Sequence, residues 1–171
     1  MPVTDTSGTR AQSSLATAAI ARLAQRGDTI AIAESLTGGL LTAALVDVPG
    51  ASRVLYGGVV AYRTPLKKSL LGVDALLLED MGAVHPRVAE QMATGVLGAL
   101  MVDGLAATVG VSTTGVAGPD AQDGRPVGTV FIGFSIGGIV SHRVLALTGD
   151  RRSIRTAAVY ESLLELVRLL G

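Results

Sequence analysis

One segment near residue 35 combines the residue types that a nucleophilic hydrolase needs. Glu34, Ser35 and Thr37 stand beside Gly38 and Gly39, between a short apolar run and a helical pattern. A strand-to-helix turn of this kind offers a hydroxyl and free backbone N–H groups where the helix dipole favours an anion or a developing oxyanion. The alternative is that Ser35 or Thr37 only caps the helix. The pattern leaves both interpretations open.

The only two lysines of the chain, Lys67 and Lys68, are adjacent. Neighbouring positions on a helix point about 100° apart, so one lysine can face inward while the other is solvated. Apolar surroundings disfavour the charged form of an inward lysine, and a neutral amine can act as a base toward a hydroxyl. Two solvated surface lysines are the other interpretation.

A second loop of small residues, 113–119, follows a continuous apolar run. Its glycines, among them Gly115 and Gly118, permit the close approach of a ligand, and such a loop can hold a phosphate. An ordinary turn is the alternative. The sequence contains neither a complete Walker motif nor a complete dinucleotide fingerprint.

Two tyrosines and a group of arginines complete the candidates. Tyr56 and Tyr62 bracket Gly57 and Gly58 and would share one face of a regular strand. One of these tyrosines could hydrogen-bond a ligand, although packing in the core or at its rim is the commoner role. Positive charge at the start of the last helix opposes the helix dipole and suggests an acidic partner, with a solvated turn as the alternative. Three residues supply this charge: Arg151, Arg152 and Arg155.

Composition limits the function classes. At ~150 residues per domain, 171 residues make about one domain. Fourteen basic and 14 acidic residues balance, which argues against a nucleic-acid-binding face and against a polybasic membrane-binding tail. The chain has no cysteine and only two distant histidines, so we expect no disulfide, no metal and no cofactor. No signal-like or membrane-spanning run is present, and a cytoplasmic protein is the default.

The elements that must position these residues alternate between strand and helix patterns. We expect a flexible amino-terminal tail over residues 1–13 and a single domain over residues 14–171. Helices are predicted over 13–26, 36–46, 65–71, 74–81, 86–102 and 151–170. Strands are predicted over 29–33, 54–62, 105–112, 127–136 and 139–147, with a bulge or close backbone approach at Gly57 and Gly58. This order predicts an α/β fold, a three-layer α/β/α sandwich with a mixed sheet.

Seven segments occur in an order that resembles the CinA carboxy-terminal domain family. The resemblance runs from about Leu15 to the end of the chain. It is carried by residues 33–39 (AESLTGG), 47–52 (DVPGAS), 57–62 (GGVVAY), 70–73 (LLGV), 82–84 (GAV), 114–119 (TGVAGP) and 126–130 (PVGTV). The chain resembles a stand-alone form, since 171 residues leave no room for the amino-terminal domain of full-length CinA proteins.

The resemblance implies a reaction. Characterised members of the family are nicotinamide mononucleotide amidohydrolases, so it implies deamidation of nicotinamide mononucleotide to nicotinate mononucleotide and ammonia, in pyridine nucleotide salvage. It also implies a dyad of Ser35 and Lys67 without a metal, with Tyr62 in the same catalytic motif. A homo-oligomer, most simply a dimer, is expected as well.

The remaining site residues follow from the resemblance and from the two loops. N–H groups between Thr37 and Gly39 are expected to hold the oxyanion, while tyrosine faces would hold the pyridinium and small-residue or arginine loops the phosphate. The expected substrate-binding residues are Glu34, Thr37, Gly38, Gly39, Tyr56, Thr114, Gly115, Gly118 and Arg151.

One departure from the family pattern lies near the site where the substrate phosphate is expected to bind. Residues 120–125 replace a glycine-rich stretch and add two carboxylates near the expected phosphate site. Because some members of the family are associated with competence or DNA damage, an alternative function is a non-catalytic nucleotide-binding or regulatory module of the competence- and damage-inducible type. A third alternative is a structural interaction domain with no small ligand.

Overall fold

A computed structural model describes residues 6–171 of the chain. Its helices are α1 (Thr6–Arg26), α2 (Leu40–Val46), α3 (Thr64–Leu71), α4 (Ala75–Met81), α5 (Pro86–Ala99) and α6 (Arg151–Leu170). Its strands are β1 (Ile30–Glu34), β2 (Leu55–Val60), β3 (Met101–Val102), β4 (Leu105–Ala106), β5 (Val109–Gly115), β6 (Thr129–Ile136) and β7 (Ile139–Ala146). A short 3₁₀ turn, Ala51–Arg53, precedes β2.

The main sheet is mixed. Its five strands lie in the order β2-β1-β5-β6-β7, with β1 parallel to both of its neighbours and β6 antiparallel to both β5 and β7. Parallel neighbours bring the carboxyl ends of β1 and β5 to the same edge of the sheet, where Glu34 pairs with Thr113. Loops that follow these two strands therefore lie side by side.

Helices cover both faces of this sheet. Ile30 and Ile32 of β1 pack in a core with α1, α2 and α6, whereas Ala31 and Ala33 pack on the opposite face with α3, α4 and α5. All five residues of β1 are buried, because the strand is covered on both faces. The three-layer α/β sandwich predicted from the sequence is confirmed.

The Gly57–Gly58 segment shows both predicted features. The register of β2 against β1 shifts by one residue beside Tyr56, so the strand carries a bulge. A side chain at Gly58 would place its Cβ 2.0 Å from Thr42 Oγ1 of α2, which only glycine avoids. The strand ends at Val60, so Tyr62 lies beyond it and does not share a strand face with Tyr56.

Several element boundaries differ from the predictions. Helix α1 begins at Thr6, so residues 6–13 of the predicted tail are helical, and residues 1–5 lie outside the described part. Polar residues with no apolar period fill this first stretch, which is why its sequence gave no helical signal. Helix α2 begins at Leu40 and not at residue 36, because a turn over 36–39 precedes it.

The predicted strand over 105–112 is divided in two. Helix α5 ends at Ala99, and β3 and β4 form a small hairpin before β5 begins at Val109. Asp103 and Gly104 turn this hairpin with positive φ angles of 53° and 79°. Within residues 6–171, no helix has the length and apolar character needed to cross a membrane.

Candidate active site

A cavity of about 270 Å³ opens at the carboxyl edge of β1 and β5. Ligands collect at this edge in open α/β sheets, because loops and helix amino termini converge there. The cavity brings together seven of the residues predicted from the sequence: Ser35, Tyr62, Lys67, Thr114, Gly115, Gly118 and Arg151.

Lys67 and Ser35 form the buried contact at the base of this cavity. The Nζ atom of Lys67 lies 3.1 Å from Ser35 Oγ and donates a 2.7 Å hydrogen bond to the carbonyl oxygen of Ala61. Lys67 is only 1% exposed, while Lys68 is exposed, so the adjacent lysines divide as the helical spacing predicts. Burial lowers the pKa of Lys67 to about 8, against the opposing effect of the Asp123 carboxylate.

The turn that carries Ser35 is fixed from two sides. On the β5 side, Ser35 N–H donates to the carbonyl oxygen of Thr113 at 3.0 Å, and the hydroxyls of Thr37 and Thr113 are 2.7 Å apart. From α6, Arg155 Nε donates to the Leu36 carbonyl at 2.8 Å and its Nη2 to the Thr37 carbonyl at 3.0 Å. Sequence reasoning did not identify this role of Arg155, since 118 residues separate it from Thr37.

Glu34 has a structural role behind the turn and does not line the cavity. Its Oε2 accepts from the N–H groups of Gly39 and Leu41, and its Oε1 accepts from the N–H and hydroxyl of Thr42. The buried carboxylate thus satisfies the amino terminus of α2 with both oxygens. This corrects the assignment of Glu34 as a substrate-binding residue.

The expected oxyanion donors also change. Gly38 N–H donates to the Ser35 carbonyl and Gly39 N–H to Glu34, so neither amide is available, and the buried Thr37 hydroxyl bonds to Thr113 instead of a ligand. Gly38 and Gly39, with φ of 60° and 97°, instead form the turn into α2.

Two amides remain free in this turn, and one of them, that of Thr37, is among the expected donors. Among the described residues, none accepts from the N–H groups of Leu36 and Thr37. The N–H and C=O of a planar trans peptide point in opposite directions. Arg155, by binding the Leu36 carbonyl, therefore also fixes the direction of the Thr37 N–H. Leu36 itself lines the cavity.

Tyr56 lies away from the cavity. It lines a separate depression with Val46, Leu55 and residues 48–52, and it packs partly against the core beneath α5. The physical reason is its place in the strand, because Tyr56 stands near the start of β2, whereas the cavity lies at the carboxyl edge of the sheet, where Glu34 pairs with Val60. The substrate-binding role expected for Tyr56 is not supported.

Hydrogen bonds hold the wall of the cavity that contains Thr114 and Ala83. Thr114 Oγ1 donates to the Ala83 carbonyl at 2.7 Å, and Ala83 N–H donates to Asp123 Oδ2 at 2.7 Å. A Cβ at Gly115 would lie 2.6 Å from the Thr129 carbonyl oxygen of β6. Gly115 is therefore required for packing of the sheet, in addition to lining the cavity.

The mouth of the cavity contains longer polar side chains. Arg151 donates from Nη1 to the Gly118 carbonyl at 2.7 Å and from Nη2 to the Tyr62 hydroxyl at 2.8 Å. Tyr62 is 53% exposed, and its hydroxyl contacts Arg151 rather than the dyad. The cavity is also lined by four polar residues that were not predicted: Arg63, Thr64, Asp120 and Gln122. Two features of the sequence could have identified them. Arg63 and Thr64 stand close to Lys67 in the chain, and Asp120 and Gln122 belong to the 120–125 segment that departs from the family pattern.

A family comparison and two similar proteins place the chain in the same family. The chain matches the family described as CinA C-terminal domain over residues 12–170. It is 49% identical over 158 residues to a CinA-like protein of Frankia casuarinae, covering 92% of this chain and 35% of that protein. It is 45% identical over 141 residues to a putative competence-damage inducible protein of Desulforamulus reducens, covering 82% and 33%. The chain thus spans about a third of the length of these curated relatives.

Solved structures share the fold. The competence/damage inducible protein CihA from Agrobacterium tumefaciens has a TM-score of 0.87 at 34% identity, covering 94% of this chain and 96% of that one. A CinA superfamily protein from Klebsiella pneumoniae has a TM-score of 0.86 at 31% identity, covering 93% and 97%.

Proposed function

Because the chain belongs to the CinA C-terminal domain family, we propose that it is an amidohydrolase that deamidates nicotinamide mononucleotide, with Ser35 and Lys67 as the catalytic dyad. The observation that carries the proposal is the 3.1 Å contact between Lys67 Nζ and Ser35 Oγ at the base of a cavity. A lysine that served only as a surface charge would not be 1% exposed.

In the first half of the reaction, Ser35 Oγ attacks the carboxamide carbon while the neutral amine of Lys67 takes the hydroxyl proton. The carbonyl oxygen becomes an oxyanion, for which the free N–H groups of Leu36 and Thr37 are the donors this turn still offers. The carbon–nitrogen bond then breaks. The Lys67 ammonium returns the proton to the leaving nitrogen, which departs as ammonia.

In the second half, water hydrolyses the ester on Ser35. Lys67 takes a proton from the water, hydroxide adds to the acyl carbon, and the bond to Ser35 Oγ breaks. The serine oxygen recovers its proton from Lys67, and the product is nicotinate mononucleotide. Both halves use one base, and Ala61 keeps that base in place by accepting a 2.7 Å hydrogen bond from it.

The lysine must be neutral at working pH for this chemistry. Burial lowers the pKa of Lys67 to about 8, so the amine is neutral above this value and protonated below it. Turnover is therefore expected to rise with pH through this range. In the charged state the same 3.1 Å contact has Nζ donating to Ser35 Oγ, which blocks transfer of the serine proton.

The test is ammonia release from nicotinamide mononucleotide by the wild-type chain and by Ser35→Ala. We expect ammonia and nicotinate mononucleotide from the wild type and almost none from the variant. The thermal midpoint should stay within a few degrees, because Ser35 Oγ bonds only to Lys67 among the described residues. If Ser35→Ala retained substantial turnover, the nucleophile assignment would be wrong. A wild type that binds the nucleotide but releases no ammonia would favour the regulatory module instead.

Two parts of the sequence-based expectation stay within this proposal. A cytoplasmic location is one, and a homo-oligomer, most simply a dimer, is the other. Exposed apolar side chains on the edge strand β7, including Ile139 at 75% and Val144 at 61%, are consistent with a partner surface. Light scattering at micromolar concentration should give a multiple of the 17.3 kDa chain mass. A monomer mass would overturn the prediction.

A further inference from the structure

Three basic side chains line the cavity, and two of them already have protein partners. Lys67 contacts Ser35 and Ala61. Arg151 joins Gly118 to Tyr62 across the mouth. The third is Arg63, and its guanidinium makes no hydrogen bond, ion pair or ring contact with any of residues 6–171. Arg63 is thus the cavity-lining cation that remains available to a ligand.

The position of Arg63 in the fold gives it no structural role that would explain an arginine. It is the residue before α3, a position where Ser, Thr, Asp or Asn can cap the helix with a side-chain acceptor. Arg63 makes no such bond, and its positive charge opposes the dipole at this end of the helix. The side chain is exposed and lines the cavity beside Tyr62 and Thr64.

We propose that Arg63 is a specificity-determining residue that binds the phosphate monoester of the substrate. The inference rests on the proposed function, which supplies a ligand with one phosphate group. A guanidinium presents paired N–H donors that match phosphate oxygens, and it stays protonated at every working pH. Arg63 and Lys67 line the same cavity, and only Lys67 contacts Ser35, which leaves Arg63 for the phosphate while Lys67 acts on the amide.

A negative charge in the same cavity fits the same ligand. Asp120 lines the cavity and has no hydrogen bond or ion pair to the described residues. Nicotinamide mononucleotide carries a cationic pyridinium as well as an anionic phosphate. An uncommitted guanidinium and an uncommitted carboxylate in one cavity are complementary to such a zwitterion. A neutral riboside lacks the group that Arg63 would bind.

The experiment compares nicotinamide mononucleotide with nicotinamide riboside as substrates for wild type, Arg63→Ala and Arg152→Ala. Arg152 is the matched control, an exposed arginine at the start of α6 that does not line the cavity. We expect Arg63→Ala to lower kcat/KM for the mononucleotide about tenfold or more, mainly through KM, and to leave the riboside rate within about twofold. Arg152→Ala should change neither. Equal losses on both substrates, or no loss on either, would overturn the proposal.

Binding measurements separate this proposal from the proposed function. If the wild type releases no ammonia, calorimetric titration with nicotinamide mononucleotide still reports on Arg63. Weaker binding to Arg63→Ala than to wild type and Arg152→Ala, by about tenfold or more, would support the phosphate site although the amidohydrolase proposal had failed. Equal affinity in all three proteins, or no binding to the wild type, would overturn the phosphate site.

Discussion

The turn that carries Ser35 and the mouth of the cavity in front of it are built in opposite ways. Glu34 and Thr37 of the turn are fully buried, and their polar side-chain atoms bond to the protein. At the mouth, Tyr62, Arg63 and Asp120 are exposed, and the last two have no partner among the described residues.

The difference separates two tasks. Attack on an amide requires the nucleophile, base and oxyanion donors to be held in place before the substrate arrives. Recognition of a charged ligand requires side chains that are still free to bind it. The side chains of Glu34 and Thr37 in the turn are therefore committed to the fold, and those of Arg63 and Asp120 at the mouth are left for the substrate.

Removing Glu34 should cause the largest loss of stability. Glu34→Ala leaves three backbone N–H groups and the Thr42 hydroxyl without their acceptor. Because unsatisfied buried donors cost about 1–3 kcal/mol each, we expect a loss of at least ~3 kcal/mol in the free energy of unfolding. Urea denaturation measures it. Glu79→Ala, which removes an exposed carboxylate from α4, is the control and should cost under ~0.5 kcal/mol. A Glu34→Ala protein as stable as this control would contradict the account.

Arg155 tests whether the turn must be held for catalysis as well as for folding. Arg155→Met removes the donors to the Leu36 and Thr37 carbonyls while keeping much of the side-chain volume. We expect kcat to fall about tenfold or more and KM to change by less than about twofold, since the loss affects the oxyanion donors. Arg152→Met on the same helix is the control. An increase in KM at unchanged kcat would place Arg155 in substrate binding instead.

Substitution of Asp123 should have the smallest effect, a shift in the pH dependence of the rate. Its carboxylate favours the charged form of Lys67, so removing the charge should lower the pKa of Lys67 further and move the acid limb of the rate profile to lower pH. Asp123→Asn keeps an acceptor for the Ala83 N–H. Asp103→Asn is the matched control, because both aspartates have φ near 50° and asparagine tolerates this conformation. A limb that moved to higher pH, or equally in the control, would contradict this assignment.

Part of the site and of the fold could be predicted from the sequence alone. Ser35 and Lys67 were predictable because local rules place them. A hydroxyl at a strand-to-helix turn is readable from the neighbouring patterns, and helical spacing lets only one of two adjacent lysines face inward. The mixed sheet followed from the order of the patterns and from the glycine turn between β6 and β7.

The errors have a common physical origin. Whether Glu34 meets a ligand or the amino terminus of α2 depends on the turn formed by Gly38 and Gly39, which the pattern of residue types does not specify. Tyr56 stands near the start of β2, at the end of the strand away from the cavity, and Tyr62 lies beyond the end of the strand. Arg155 acts through contacts between elements distant in the chain. Long polar side chains are the least predictable, because several partners lie within their reach.

The most direct test of the dyad measures ammonia release across about pH 6 to 10 for wild type, Lys67→Arg and Lys68→Arg. Wild type and Lys68→Arg should rise together and reach half of their maximum near pH 8, where Lys67 loses its proton. Lys67→Arg should release none at any pH, since a guanidinium cannot accept the Ser35 proton. An active Lys67→Arg enzyme, or equal losses in both variants, would show that Lys67 is not the base.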